Sequence, residues 1–260
     1  MPPWQLISME VDQASKLIGD YFEHDLCMPI KRARMQGCHT TQKKDLAEFV
    51  KSHMGNGNDR KLVLYGSGYF HHYTYGLCRH ADRLSGNYAY MHFDHHSDFG
   101  SWNPEDEVDC ASFVSQILTD TNASAALFFG DKPPMLDYLQ SEALSIIGLI
   151  RGEKIPAMRY SSMQPGSFRS WLGSRMFERQ IKKLPEDVYL SFDLDLMSES
   201  EIFTDFYQGD FRTEELLKAI DMIKRNKRII SADILGYAGT SKETHGLELY
   251  KKIAFSIMDG

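Results

Sequence analysis

Six short runs of apolar, β-branched or aromatic residues constrain this chain more than any other feature: Leu62–Tyr65, Tyr88–Phe93, Ala125–Phe129, Ser145–Leu149, Val188–Phe192 and Arg228–Ala232. Each has the length of a strand. Most are too continuously apolar to keep one face in water, which predicts a parallel sheet covered on both sides. Helical periodicity fills the intervals. Lys43–Met54 sets Leu46, Phe49 and Val50 on one side, and Cys110–Leu118 is similarly spaced. Glu214–Ile223 follows the start signal of Thr213, Glu214 and Glu215, and Gly246–Ile257 aligns Leu247, Tyr250, Ile253 and Ile257. Alternating strand and helix predicts an α/β protein, a three-layer α/β/α arrangement with a mostly parallel sheet. The first forty or so residues fit less well and read as an added helix and loop, and Arg151–Gly166 reads as a long connection. Neither breaks the pattern convincingly, and no 20–50-residue period repeats, so residues 1–260 are expected to form one domain.

Charge and cysteine usage narrow the function classes. Twenty-nine basic residues against 36 acidic ones leave a net charge of −7, which argues against a nucleic-acid partner or an anionic membrane surface. No stretch of about 18 apolar residues is present, so no membrane span is expected. The opening MPPWQLISMEVDQ has neither a basic nor an apolar leader region. Cys27, Cys38, Cys78 and Cys110 form no C-x-x-C pair, and with no leader they read as reduced thiols in a cytoplasmic protein. None sits in an electropositive motif that would make it a nucleophile. Gly66-Ser67-Gly68 lacks the Lys-Ser/Thr of a phosphate loop, and the Asn122-Ala123-Ser124 sequon matters only on secretion.

In open parallel sheets the functional groups gather beyond the carboxyl ends of the strands. Three predicted strand ends carry metal-ligand chemistry: GSGYFHHYTYG after Tyr65, DHHSDFG from Asp94, and DLDLMS from Asp193. In extended geometry Asp94, His96 and Asp98 share one face, and His95 points away from them. Asp193 and Asp195 repeat the spacing. Such a collection of carboxylates and imidazole at one sheet edge needs cations to neutralise it. An oxygen-rich set with a minority of imidazole suits Mn²⁺ or another borderline-hard divalent ion.

The order of these motifs resembles that of the arginase or ureohydrolase superfamily of binuclear manganese hydrolases. That family carries a His after one strand, Asp-x-His-x-Asp after the next, and Asp-x-Asp late in the chain. Its first motif is Gly-Gly-Asp-His-Ser with a Gly five residues beyond the His. Here Gly68-Tyr69-Phe70-His71 is followed by Gly76, which points to His71 rather than His72, and Phe70 stands where the family has Asp. The 23-residue interval from His71 to Asp94 (94 − 71) also agrees with the family pattern. The resemblance spans about Leu62 to Tyr237. It implies two Mn²⁺ ions, one held by His71, Asp94, Asp98 and Asp193, the other by His96, Asp94, Asp193 and Asp195. Asp94 and Asp193 would bridge, and the metals would activate water against an electron-poor carbon such as that of a guanidinium.

Departures from the family pattern bear on the substrate. Arginases carry a guanidinium-gripping Glu three residues after an Asp in the motif of the last strand. Here the stretch is Asp233-Ile234-Leu235-Gly236, with Gly236 at that position. The family's loop histidine would fall near Ala111, and the free-amino-acid reader is unrecognisable in Gly100–Asp109. The chain therefore looks most like the divergent peptide arginases, which convert arginine residues of precursor peptides to ornithine with release of urea; a small guanidine is the other possible substrate. Two alternatives stay open: a deacetylase-like amide hydrolase, and a metal-stabilised binding protein without catalysis. A guanidinium still needs a carboxylate. Glu243, before the last helix, and Asp205, after the Asp-x-Asp motif, are the candidates. His245 is the candidate proton shuttle.

Overall fold

Every neighbouring pair of strands in the main sheet is parallel, as near-continuous apolar runs require. The computed structural model describes residues 2–55, 57–96, 98, 106–129, 175–239 and 245–259. Nine strands occur among them: β1 (Trp4–Glu10), β2 (Lys31–Arg34), β3 (Thr40–Gln42), β4 (Arg60–Leu64), β5 (Tyr88–Phe93), β6 (Glu107–Asp109), β7 (Ala123–Phe129), β8 (Asp187–Asp193) and β9 (Arg228–Leu235). Seven form the main sheet in the order β2-β1-β4-β9-β8-β5-β7, and β3 pairs antiparallel with β6. The expected strand Ser145–Leu149 and the connection Arg151–Gly166 lie outside the described residues.

Period-two alternation splits each strand between two cores. Leu190 and Phe192 of β8 face α1 (Gln13–Asp20), α5 (Arg175–Lys183), α6 (Thr213–Asn226) and α7 (His245–Met258), with Ile18, Phe177, Ile220 and Ile253 packed there. Tyr189, on the other face, joins Phe49, Leu77 and Ile117 from α2 (Lys43–Met54), α3 (Tyr73–Ala81) and α4 (Phe113–Asp120). Burying each such side chain contributes about 1.5–3 kcal/mol, and helices on both faces make the three layers. The α6 start is built as its sequence suggests, with the Arg212 N–H donating to Glu215 Oε2 at 3.0 Å.

The amino-terminal segment differs from the expectation of an added helix and loop. It supplies β1, which lies inside the sheet between β2 and β4. Its polar residues hide the strand in the sequence, yet they are satisfied in place. Ser8 Oγ donates to the Ser15 carbonyl at 3.3 Å. The Glu10 carboxylate receives Arg32 at 2.5 Å and Arg34 at 2.7 Å. No helix among the described residues is long and apolar enough to cross a membrane.

Candidate metal centre

Four strands adjacent in the sheet, β4, β9, β8 and β5, end at the same edge, and the segments leaving them carry His71, Gly236, Asp193 with Asp195, and Asp94 with His96 and Asp98. Strand register builds the floor. His92 of β5 sits beside Ser191 of β8, which sits beside Asp233 of β9. All three are fully buried. Two residues further along β5 and β8 come Asp94 and Asp193, on the same face by alternation.

Hydrogen bonds to the floor set the tautomer of His71. Ser191 Oγ gives its hydrogen to Asp233 Oδ1 at 2.7 Å, so it accepts from His71 Nε2, 3.0 Å away. His71 Nδ1 is then left with a bare lone pair. It is buried without a hydrogen-bond partner and faces Asp94 Oδ2 at 2.9 Å, Asp98 Oδ2 at 3.0 Å and Asp193 Oδ2 at 3.5 Å. A lone pair aimed at three carboxylate oxygens is repulsive without a proton or a cation between them. On the other side, His96 Nδ1 lies 2.8 Å from Asp195 Oδ2 and 3.5 Å from Asp94 Oδ1. The two oxygens of Asp94 thus serve two separate clusters. Backbone N–H groups orient the carboxylates: His96 donates to Asp94 Oδ1 at 2.5 Å, Asp195 to Asp193 Oδ1 at 3.0 Å and His95 to Asp195 Oδ1 at 3.0 Å.

The electrostatics register the same crowding. Burial, then the charges of Asp195 and Asp98, hold Asp94 well above the ordinary carboxylate range. Burial and Asp195 push Asp193 up to about 8 against the pull of His71. Burial would lower His71, but Asp98 beside Nδ1 and the surrounding carboxylates favour its protonated form and raise it to about 9. Likewise His96 overcomes burial through Asp195 and Asp94 and rises to about 11. All four shifts favour retaining protons among these groups, the same repulsion that divalent cations would relieve. The donor set, four carboxylates with two imidazoles, fits borderline-hard divalent ions.

His71, Asp94, His96, Asp98, Asp193 and Asp195 therefore converge. Asp94, His96 and Asp98 do not meet through extended alternation, because the chain bends after Phe93 and Asp98 is left-handed at φ 47°. His95 is buried, and its ring lies 5.2 Å from that of His96. His72 is also buried, and its Nε2 lies 3.1 Å from Thr41 Oγ1. His245 is exposed as the first residue of α7, and among the described residues no hydrogen bond or ion pair recorded for the cluster reaches it. Glu243 lies outside the described residues. Asp205 is exposed and lines a cleft of about 580 Å³ with Asp12, His39, Ser67 and Tyr69. Its neighbour Phe206 sits 4.6 Å from the Tyr69 ring and 5.9 Å from His96.

Three features escaped sequence reasoning. His92 is the first: its Nε2 lies 3.1 Å from the His96 carbonyl and 3.4 Å from Asp94 Oδ2, its Nδ1 lies 3.0 Å from Tyr90 Oη, and its ring stacks on His71 at 5.2 Å. Because a carbonyl only accepts, Nε2 carries the hydrogen. The Tyr90-x-His92-x-Asp94 alternation was the available signal. The second is the Ser191–Asp233 pair, completed by Tyr189 Oη donating to Asp233 Oδ2 at 2.5 Å. The third is that Gly236 is closed to side chains: its φ is +98°, and a Cβ there would collide with Asp193 Oδ1 and the Leu194 backbone.

No family model and no curated protein matches the chain. Solved structures do. An arginase from Bacillus caldovelox superposes with a TM-score of 0.70 at 15% identity, covering 100% of this chain and 99% of its own. Proclavaminate amidino hydrolase from Streptomyces clavuligerus gives 0.70 at 14%, covering 99% and 92%. An arginase from Bacillus cereus gives 0.68 at 15%, covering 99% of both chains. At such low identity the likeness is one of architecture, and the chain has the α/β fold seen in these arginases and this amidino hydrolase.

Proposed function

We propose that this chain, as a single domain of residues 1–260, is a hydrolase of the ureohydrolase type that uses two Mn²⁺ ions to cleave a guanidinium, and that its substrate is the arginine side chain of a peptide. Water adds to the guanidinium carbon, the bond from that carbon to the side-chain nitrogen breaks, and ornithine and urea result. The observation that carries the reading is the convergence of the buried Nδ1 of His71 on Asp94, Asp98 and Asp193 while His96 faces the other oxygen of Asp94. Fold relatives named arginase and amidino hydrolase support the choice of a guanidine or amidine carbon.

The ions, when bound, would supply Lewis acidity that lowers the pKa of water and stabilises charge developing at the carbon. His71, Asp94, Asp98 and Asp193 would hold one, and His96, Asp94, Asp193 and Asp195 the other. Ser191 and Asp233 keep His71 in the ligating tautomer. Asp205, in the cleft beside Phe206, is the carboxylate proposed to receive the planar five-donor guanidinium. His245 is the proposed proton carrier. Metal analysis paired with a urea assay tests the proposal. Two ions per chain and urea from an arginyl peptide are expected, with none of either from Asp193→Ala. A single ion, or release of acetate from acetyl-lysine in place of urea, overturns it.

A further inference from the structure

Among the described residues, the exposed large hydrophobics are Tyr69, Phe203 and Tyr207; Tyr69 lines the cleft with Asp205, and Phe203 and Tyr207 stand two residues either side of Asp205 in sequence. Tyr69 follows Gly68, whose missing Cβ would meet Asp193 Oδ2 at 2.8 Å and the Phe206 ring at 3.0 Å. Phe203 and Tyr207 bracket Asp205 and Phe206 on a loop tied down at both ends. The Ala238 N–H donates to the Phe203 carbonyl at 3.2 Å, and the Gly209 N–H to the Asp195 carbonyl at 2.7 Å. Phe206, 4.6 Å from the Tyr69 ring and 5.9 Å from the His96 ring, links this loop both to the cleft and to the ligand cluster. The cleft beside it contains the exposed Asp205, together with Asp12, which caps α1, and no Lys or Arg among the described lining residues.

Two chemistries thus meet at one mouth. The carboxylates favour a cation, and the phenyl and phenol faces favour both a guanidinium and apolar groups. Free arginine answers only half of this. Its α-carboxylate would approach the exposed Asp205 with no Lys or Arg among the described lining residues to receive it, and it has no further apolar surface for Phe203 and Tyr207. Exposed aromatic groups around a polar cleft are the composition of an interaction surface.

We propose that Tyr69 and the Phe203–Tyr207 loop are the docking surface for a polypeptide whose arginine is flanked by apolar residues. The flanking side chains rest on Phe203 and Tyr207, and the arginine passes Phe206 toward Asp205. The proposal rests on the guanidine reading for the arginine and on the rim itself for the flanks, so the two are tested separately.

The experiment is fluorescence anisotropy of labelled peptides on the metal-loaded protein: Leu-Arg-Phe within a hexapeptide, the same with Gly-Arg-Gly, and Leu-citrulline-Phe. The apolar-flanked arginine peptide is expected to bind about tenfold tighter than the glycine-flanked one. That ratio should fall toward one in Phe203→Ser and Tyr207→Ser, with metal content and melting temperature measured for each. The neutral citrulline peptide should bind more weakly than its arginine counterpart. A ratio near one in the unmodified protein, a ratio that survives both substitutions, or equal affinity for citrulline overturns the docking surface. Urea release from acetyl-arginine methylamide is followed in parallel. Urea without flank preference refutes the surface alone, and flank preference without urea refutes the guanidine chemistry alone.

Discussion

His92 contributes to the centre from beneath it. One ring nitrogen takes the Tyr90 hydroxyl and the other holds the His96 carbonyl, so the imidazole straps the bend that carries Asp94 and His96. Burial, then the neighbouring His71, keeps its pKa well below 6.5, and it acts as a neutral donor. Replacing it by Phe retains much of the volume and removes the strap. His92→Phe is expected to weaken the second of two Mn²⁺ binding steps in calorimetry by about tenfold, the typical lower bound for lost outer-shell support. His92→Gln, which keeps an N–H toward the carbonyl, should recover much of the loss. Unchanged Mn²⁺ affinity, or no rescue by Gln, would mean that the residue only fills space.

Elements are pinned at the sheet edge opposite the candidate centre as well. Where β8 and β9 begin, Arg228 grips Asp187 with two bonds of 2.5 and 2.6 Å. Burial would raise the Asp187 pKa, but the Arg228 hydrogen bonds win and lower it. A depressed folded-state pKa gives stability that is present above the unfolded value of about 3.9 and is lost as pH falls through the folded one. Arg228 is half exposed, with 51% of its side chain accessible, so solvent screening discounts the pair to about 1 kcal/mol. Urea denaturation should show Asp187→Asn less stable by that amount at pH 7, with the gap narrowing as pH falls below the unfolded value. A gap of unchanged size at the lower pH would assign the effect to packing. Elements also differed in how plainly they could be read. The bounds of β5 coincide with its apolar run, 88–93, because nothing polar and unpaired interrupts it. The β1 segment escaped notice because Gln5, Ser8 and Glu10 break its pattern, and their partners Lys61, Ser15, Arg32 and Arg34 become visible only in three dimensions. The centre divides in the same way. Asp94, His96, Asp193 and Asp195 lie in short local motifs, whereas His92, Ser191 and Asp233 meet only through the register of three strands.

For the molecule as a whole, the crowded edge is a debt in the metal-free state. Asp94, Asp98, Asp193, Asp195, His71 and His96 are drawn together by strands whose two cores hold them regardless of charge. Metal binding to the folded chain alone should raise its stability by mass action, about 2.7 kcal/mol when free Mn²⁺ exceeds its Kd a hundredfold. The expected result is a melting temperature that climbs with Mn²⁺ concentration and returns on chelation, with Asp94→Ala unresponsive to the metal. A melting temperature indifferent to Mn²⁺ would separate the cluster from any structural role for cations.

Gly236 gives the fold a direction of travel. The backbone there holds φ at +98°, its N–H binds the Gly66 carbonyl at 2.6 Å, and the volume ahead of its Cα is filled by Asp193 and Leu194. Any L-residue at this position would be strained by roughly 1–3 kcal/mol and would press on a carboxylate of the centre. An acidic side chain cannot be placed here by one change while Asp193 stays where it stands. Loop substitutions near Asp205 touch no such constraint. Altered preference in the cleft therefore has to be sought at its rim, because the backbone has closed position 236 to side chains.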